Sequence, residues 1–192
     1  MYSANHLASA LRAASAGRGD ATFATDAAGG QVTTYAALWA QAEGMASALV
    51  ELGVAPGDRV AMQVEKSING LACYLGTLLA GAIHLPLNTG YTAAEVSYFL
   101  TDAVPHVFIC DPAKLDMLTP VAAVASVAHV LTLDAEGAGT LTDAADDAAP
   151  LQTAVPRGAD DLAAFLYTSG TTGRSKGAML THGNLASNAA VL

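Results

Sequence analysis

The stretch YTSGTTGRSKGAML, Tyr167 to Leu180, sets Thr168, Ser169, Thr171, Thr172 and Ser175 among Gly170, Gly173 and Gly177, with Arg174 and Lys176 as its charges. It is too polar for a core strand and too rich in glycine for a helix, so it reads as a loop. The chemistry these residue types share is anion binding. Glycines let backbone N–H groups approach an anion with no β-carbon in the way, hydroxyls donate further hydrogen bonds, and Lys176 adds a compact positive charge. Together they suit a polyphosphate. The spacing excludes a Walker A loop, because Gly173 is separated from Lys176 by Arg174 and Ser175 rather than standing in a Gly-Lys-Ser/Thr ending. No G-x-G-x-x-G occurs either. On composition alone, a glycine-rich surface turn between strands accounts for the stretch as well as a phosphate loop does.

Charge distribution favours the second reading. The chain of 192 residues carries a net charge of −9, yet every Asp and Glu lies at or before Asp161, after which Arg174 and Lys176 are the only formal charges. An anion is favoured at that end. The overall acidity argues against a nucleic-acid partner or an anionic membrane surface, both of which require a broad basic field.

The loop needs a strand to carry it. LAAFLY, from Leu162, is apolar at every position and is expected to be a strand buried on both faces, with the loop at its carboxyl end. Upstream, RVAMQV (59–64), IHLPL (83–87), HVFIC (106–110) and HVLTL (129–133) read as strands, with Pro86 placing IHLPL at a strand end or sheet edge. Helices are expected between them. Thr34 is a candidate N-cap for a helix that Gly53 stops, a second helix runs from about Ser67 to Ala80, and Thr92 with Glu95 forms a capping-box pattern ahead of Val96, Phe99, Leu100 and Ala103. AKLDML reads as a helical turn or two.

This alternation predicts an α/β fold, a mainly parallel sheet with crossover helices on both faces, whose ligands sit beyond the carboxyl ends of the strands. ATFAT and QVTTY suggest a short hairpin around DAAGG, and residues 134–160 read as an exposed connection with little core. At the N-terminus, Leu7 and Leu11 favour a short docking helix over a transit peptide. The run LACYLGTLLAGAIHLPL is broken by Gly81, His84 and Pro86 into a buried helix and a strand, so no membrane span is predicted. Cys73 and Cys110 sit in apolar runs without metal-ligand spacing and read as reduced core residues of a cytoplasmic protein.

The string YTSGTTGRSKGAMLTHGNL resembles the phosphate-binding signature of adenylate-forming enzymes, the superfamily of acyl-CoA synthetases, peptide-synthetase adenylation domains and luciferases. TTYAALWAQAEGMASALVELGVAPGDRVAM and LLAGAIHLPLN are similar to the family's early segments, with Leu79 standing where a Lys is often found. Within the superfamily, the chain from Glu65 to Pro112 and from Asp160 to Asn188 looks most like bacterial malonyl-CoA synthetases. The resemblance implies a ligase that joins a carboxylic acid to coenzyme A at the expense of ATP and Mg2+, with small-molecule substrates. It assigns Thr168, Ser169, Gly170, Thr171, Thr172, Gly173, Arg174, Ser175 and Lys176 to the β- and γ-phosphates, and Thr168 also to Mg2+.

It further implies that the other parts of the apparatus lie later in the family's sequence. These are a Glu for Mg2+, an Asp for the ribose, the acid pocket and a smaller C-terminal domain. Residues 1–192 are therefore expected to be the N-terminal portion of the adenylating domain, with no catalytic residue of their own and no turnover in isolation. His182 is expected to be structural, at the start of the helix after AMLT with Thr181 or Asn184 as its cap, and His84 to be a packed strand residue.

Overall fold

Residues 4–25, 30, 32–168 and 175–191 are described by a computed structural model. Helix starts follow the polar residues that precede the apolar runs. Asn5 caps α1 (His6–Ala14) by accepting from the Ala8 N–H, Thr34 caps α2 (Tyr35–Glu51) through Ala37, and Ser67 caps α3 (Ile68–Leu79) through Gly70. Each such side chain satisfies an amide that the helix leaves unpaired, a contribution of about 1 kcal/mol. At α4 (Ala93–Ala103), Thr92 and Glu95 form the reciprocal box that their spacing predicts. Gly53 ends α2 at φ +85°, a conformation that costs a residue with a β-carbon strain.

The strands between them are short and apolar: β3 (Arg59–Gln63), β4 (Ile83–Pro86), β5 (Val107–Cys110), β6 (His129–Thr132), β7 (Leu162–Thr168) and β8 (Lys176–Thr181). They form one sheet in the order β6-β5-β3-β4-β7-β8. All neighbours are parallel except β7 and β8. A separate antiparallel pair, β1 (Thr22–Thr25) and β2 (Val32–Thr34), confirms the early hairpin. Pro86 lies at the end of β4, inside the sheet, so of the two positions its chemistry allows the structure selects the strand end.

Two apolar layers cover the sheet. On one face α1, α2 and α3 pack with Val60, Val107 and Ile109, and the partly buried Leu185 of α7 (His182–Val191) joins them. On the other, α4 and α5 (Leu115–Val124) bury Ala61, Leu85, Phe108 and Cys110. The α2–α3 contact is close because Gly76 faces the Ala42 and Ala46 backbone, where a β-carbon would stand 2.9 Å from the Ala42 oxygen.

Three expectations need correction. Residues 134–160 do not run as a bare connection: they include α6 (Thr140–Asp147), which packs on α2 and buries Leu141 and, beyond it, Ala154. The helix after β5 is longer than AKLDML. A 3₁₀ turn over Pro112–Lys114 leads into ten residues of α5 that run through Pro120. Finally, β7 is not buried on both faces throughout. Ala163 and Ala164 are buried, but from Phe165 onward the strand is half-buried and then exposed. The cause is pairing: β7 meets β4 only at His84 and Ala164, and its remaining length has β8 alone beside it.

Candidate functional site

The carboxyl ends of the parallel strands open on the side where a ligand crevice is expected. A cleft of about 770 Å³ lies beyond β3 and β4, lined among others by Val64, Lys66, Ser67, Tyr74, Asn88 and Thr89. Parallel pairing of His84 with Ala164 sends β7 in the same direction, so Thr168, four residues further on, emerges at this end of the sheet.

Thr168 is the last residue of β7 and Lys176 the first of β8; they are cross-strand partners. Both are exposed, and the Thr168 hydroxyl donates to the Lys176 carbonyl at 3.3 Å. Ser175 is half-buried. The hairpin thus brings Thr168, Ser175 and Lys176 together at one end of the sheet. Ser169, Gly170, Thr171, Thr172, Gly173 and Arg174 lie outside the described residues. Gly177 makes room for the ring of Phe165, which lies where a β-carbon would project.

Beneath the hairpin is an aromatic seat that the sequence reading missed. Tyr167 packs on Phe99 with ring centroids 4.5 Å apart and on Phe165 at 5.1 Å, and Phe99 in turn meets Tyr91 at 4.8 Å. The Tyr167 hydroxyl donates to the Asp102 carboxylate at 2.5 Å, while the Tyr98 hydroxyl donates to the Ser175 carbonyl at 3.2 Å. Burial, with the neighbouring Asp102 carboxylate, raises the Tyr167 pKa, so its proton stays on the phenol. One signal was available in the sequence. Tyr98 and Asp102 are one helical turn apart, beside the apolar face of α4.

The two singled-out histidines are structural, as expected. His182 opens α7 fully buried, and its Nδ1 accepts from the Leu7 N–H at 3.4 Å; Thr181 and Asn184 exchange the capping hydrogen bonds. The length of β8, six residues, sets it roughly 17–20 Å from Lys176. Burial first, then nearby Arg157, lowers the His182 pKa to about 4. His84 is also buried, edge-on to Tyr74 at 5.0 Å, and burial lowers its pKa to about 4. Cys73 and Cys110 are buried and free, their thiols raised by burial to about 12 and about 11, which makes them inert as nucleophiles.

Among the described residues, no three His, Cys, Asp or Glu side chains gather as a metal site. Thr168 offers one exposed hydroxyl oxygen. That suits Mg2+, which prefers oxygen and takes most of its ligands from water and substrate phosphates. No helix among the described residues is long and apolar enough to cross a membrane.

The sequence profile described as AMP-binding enzyme matches residues 10–192. The ATP-bound crystal structure of MatB from Rhodopseudomonas palustris is 48% identical, with a TM-score of 0.87 over 98% of this chain and 37% of its own. A feruloyl-CoA synthase from Amycolatopsis is 40% identical over 83% of this chain, and the long-chain-fatty-acid–CoA ligase FadD13 of Mycobacterium tuberculosis is 37% identical over 78%. The chain spans 30% and 29% of the length of these two curated relatives.

Proposed function

The chain belongs to the AMP-binding enzyme family, and from that premise we propose that it is the N-terminal part of an ATP-dependent acid–CoA ligase whose acid is malonate. The observation that carries the reading is the position of the YTSGTTGRSKG string, whose flanks Thr168 and Lys176 meet at the carboxyl end of the sheet. Its likeness to an ATP-bound relative at 48% identity supports the nucleotide, and two buried free thiols support a reducing, cytoplasmic compartment.

In the reaction, a carboxylate oxygen attacks the α-phosphorus of ATP and the bond to the β-phosphate breaks, giving an acyl-adenylate and pyrophosphate. The thiol of coenzyme A then attacks the acyl carbon, loses its proton and expels AMP. This chain's residues act on the departing pyrophosphate. Thr168, Ser169, Thr171, Thr172 and Ser175 donate hydroxyl hydrogen bonds, and Gly170 and Gly173 let the backbone bend around the β- and γ-phosphates. Lys176, with Arg174 behind it in importance, offsets charge that grows on the leaving group, where a fixed cation lowers the barrier most. Mg2+ would supply further charge neutralisation to the phosphates, and Thr168 is the residue that the resemblance assigns to it.

Malonate is the finer part of the reading, supported by the 48% identity to MatB and by the chain's resemblance to malonyl-CoA synthetases. Its second carboxylate stays ionised at neutral pH, so the acid pocket must pair it, most simply with an arginine. A fatty-acid ligase, the reading that FadD13 favours, needs an apolar tunnel there instead. Pyrophosphate release by the full-length protein, measured side by side with malonate, methylmalonate, acetate and octanoate, separates the two. Malonate is expected to be preferred; a clear preference for octanoate keeps the ligase and removes malonate, and no acid-dependent release with any acid removes the ligase.

A further inference from the structure

The phosphate loop springs from two shoulders, Tyr167–Thr168 at the end of β7 and Ser175–Lys176 at the start of β8, with Ser175 just before the strand, and each shoulder is tied to the same helix. Asp102 of α4 accepts from the Tyr167 hydroxyl at 2.5 Å, and Tyr98, one turn earlier, donates its hydroxyl to the Ser175 carbonyl at 3.2 Å. No other strand steadies this end of the hairpin among the described residues, because β4 leaves β7 after Ala164. Helix α4, by contrast, is a firm reference. Val96, Phe99 and Leu100 are buried beneath it and a complete capping box fixes its start.

We propose that Tyr98 and Asp102 are positioning residues that fix the spacing and direction of the two shoulders, so that Thr168 and Lys176 are held where the proposed phosphate contacts need them. The inference rests on the phosphate-loop reading and extends it to residues that touch no phosphate. Asp102 is the more telling of the two. Asp102 accepts from the Tyr167 phenol, the residue next to Thr168, and serves as an acceptor that no neutral aliphatic side chain replaces. The hydrogen bonds also divide the work: losing Tyr98 frees the β8 shoulder, and losing Asp102 frees the β7 shoulder. Shoulders that sample several arrangements hold Thr168 and Lys176 in place for only part of the time and weaken ATP binding by that fraction, while the acid, bound elsewhere, is unaffected.

The test uses steady-state pyrophosphate release by the full-length protein carrying Tyr98→Phe, Asp102→Ala or Asp102→Asn. Each loss is expected to raise the KM for ATP about three- to tenfold, the weight of one hydrogen bond, and to leave the KM for the acid within about twofold. Asp102→Asn, which keeps an acceptor oxygen, is expected to recover part of the Asp102→Ala loss. Thermal midpoints are recorded alongside. If Asp102→Ala lowers them, Tyr98→Phe decides alone, since it removes a single oxygen from an exposed ring. Wild-type KM for ATP in Tyr98→Phe, or parallel rises for ATP and acid, overturns the proposal. Lys176→Ala separates this failure from that of the underlying reading. If Lys176→Ala is also wild-type, the phosphate loop itself is wrong; if it slows adenylation while the α4 variants do not, only the brace falls.

Discussion

The α2–α3 layer and the β7–β8 hairpin are built from opposite materials. In the first, Ala42, Ala46, Ala72 and Leu78 are entirely removed from solvent, and Gly76 lets two helix backbones approach until a single methyl no longer fits. In the second, Thr168, Lys176 and Met179 are exposed, and order depends on cross-strand pairing, four aromatic rings and two hydroxyl hydrogen bonds to α4. Packing of the first kind gives stability and tolerates no change in volume. Contacts of the second kind give direction at little energy, which suits the placement of exposed polar groups such as Thr168 and Lys176. Substitutions should therefore separate: stability effects without ATP effects in one region, ATP effects with smaller stability effects in the other.

The sharpest separation is expected at Leu78, fully buried on α3. Leu78→Ala removes three buried carbons and leaves a cavity, so urea unfolding should show a loss of about 2–5 kcal/mol. At a temperature where the variant remains folded, its KM for ATP should match the wild type. A change in KM comparable to that of Tyr98→Phe would mean the two regions are mechanically one.

Two histidines lie on the seam between the regions and sharpen the comparison further. His84 sits on β4 opposite Ala164 of β7 and against Tyr74; His182 follows β8, accepts from Leu7 and has Arg157, Asp161 and His6 around it. Each folded-state pKa is lowered to about 4 from an ordinary value of 6.5. Below that ordinary value the unfolded chain takes up protons that the folded chain refuses. Stability is therefore lost as pH falls toward about 4, and neither histidine affects it above neutral pH. At pH 5 the loss is about 2 kcal/mol per histidine. Unfolding midpoints at pH 7 and pH 5 should show a steep fall in the wild type and a shallower one in His84→Gln and His182→Asn. Equal slopes in all three would remove the histidines from the seam.

What the sequence disclosed depended on how local each cause is. The start and end of α2 follow from Thr34 and Gly53, and the box at α4 from Thr92 and Glu95, because caps act within four residues. The stretch from Tyr167 to Leu180 reads as a loop by residue type, yet Tyr167 and Thr168 end β7 and Lys176–Leu180 belong to β8, because cross-strand pairing extends both strands into polar, glycine-containing sequence; residues 169–174 lie outside the described residues. Helix α6 was not legible, since Leu141 alone anchors a run of Ala, Thr and Asp whose composition suggests a linker. Nor was the length of α5: Pro120 reads as a breaker, yet in the sixth position it removes one helical hydrogen bond, and Leu118 and Ala122, both buried, hold the helix on either side. The brace was the least visible. Its hydrogen bonds join residues 77 and 65 positions apart, and no periodicity reaches that far.

The smallest expected effect tests whether the aromatic seat belongs to the hairpin or merely lies under it. The ring of Phe165 occupies the space over Gly177, so Gly177→Ala must push that ring aside. Phe165 leans on Tyr167 with centroids 5.1 Å apart, and Tyr167 carries the hydroxyl bound to Asp102. A displaced ring thus reaches the β7 shoulder in two contacts. Overpacking of a half-buried site of this kind costs about 1–2 kcal/mol, toward the lower end for a core, because the ring has solvent to move into. The KM for ATP should rise by less than in Tyr98→Phe, since the shoulder is shifted rather than released. Phe165→Leu clears the obstruction, so the same Gly177→Ala change in that background should lose less stability and less ATP affinity than it does alone. Strict additivity of the two substitutions would show that ring and glycine do not act on each other, and would leave the hairpin held by its backbone and by α4 without help from Phe165.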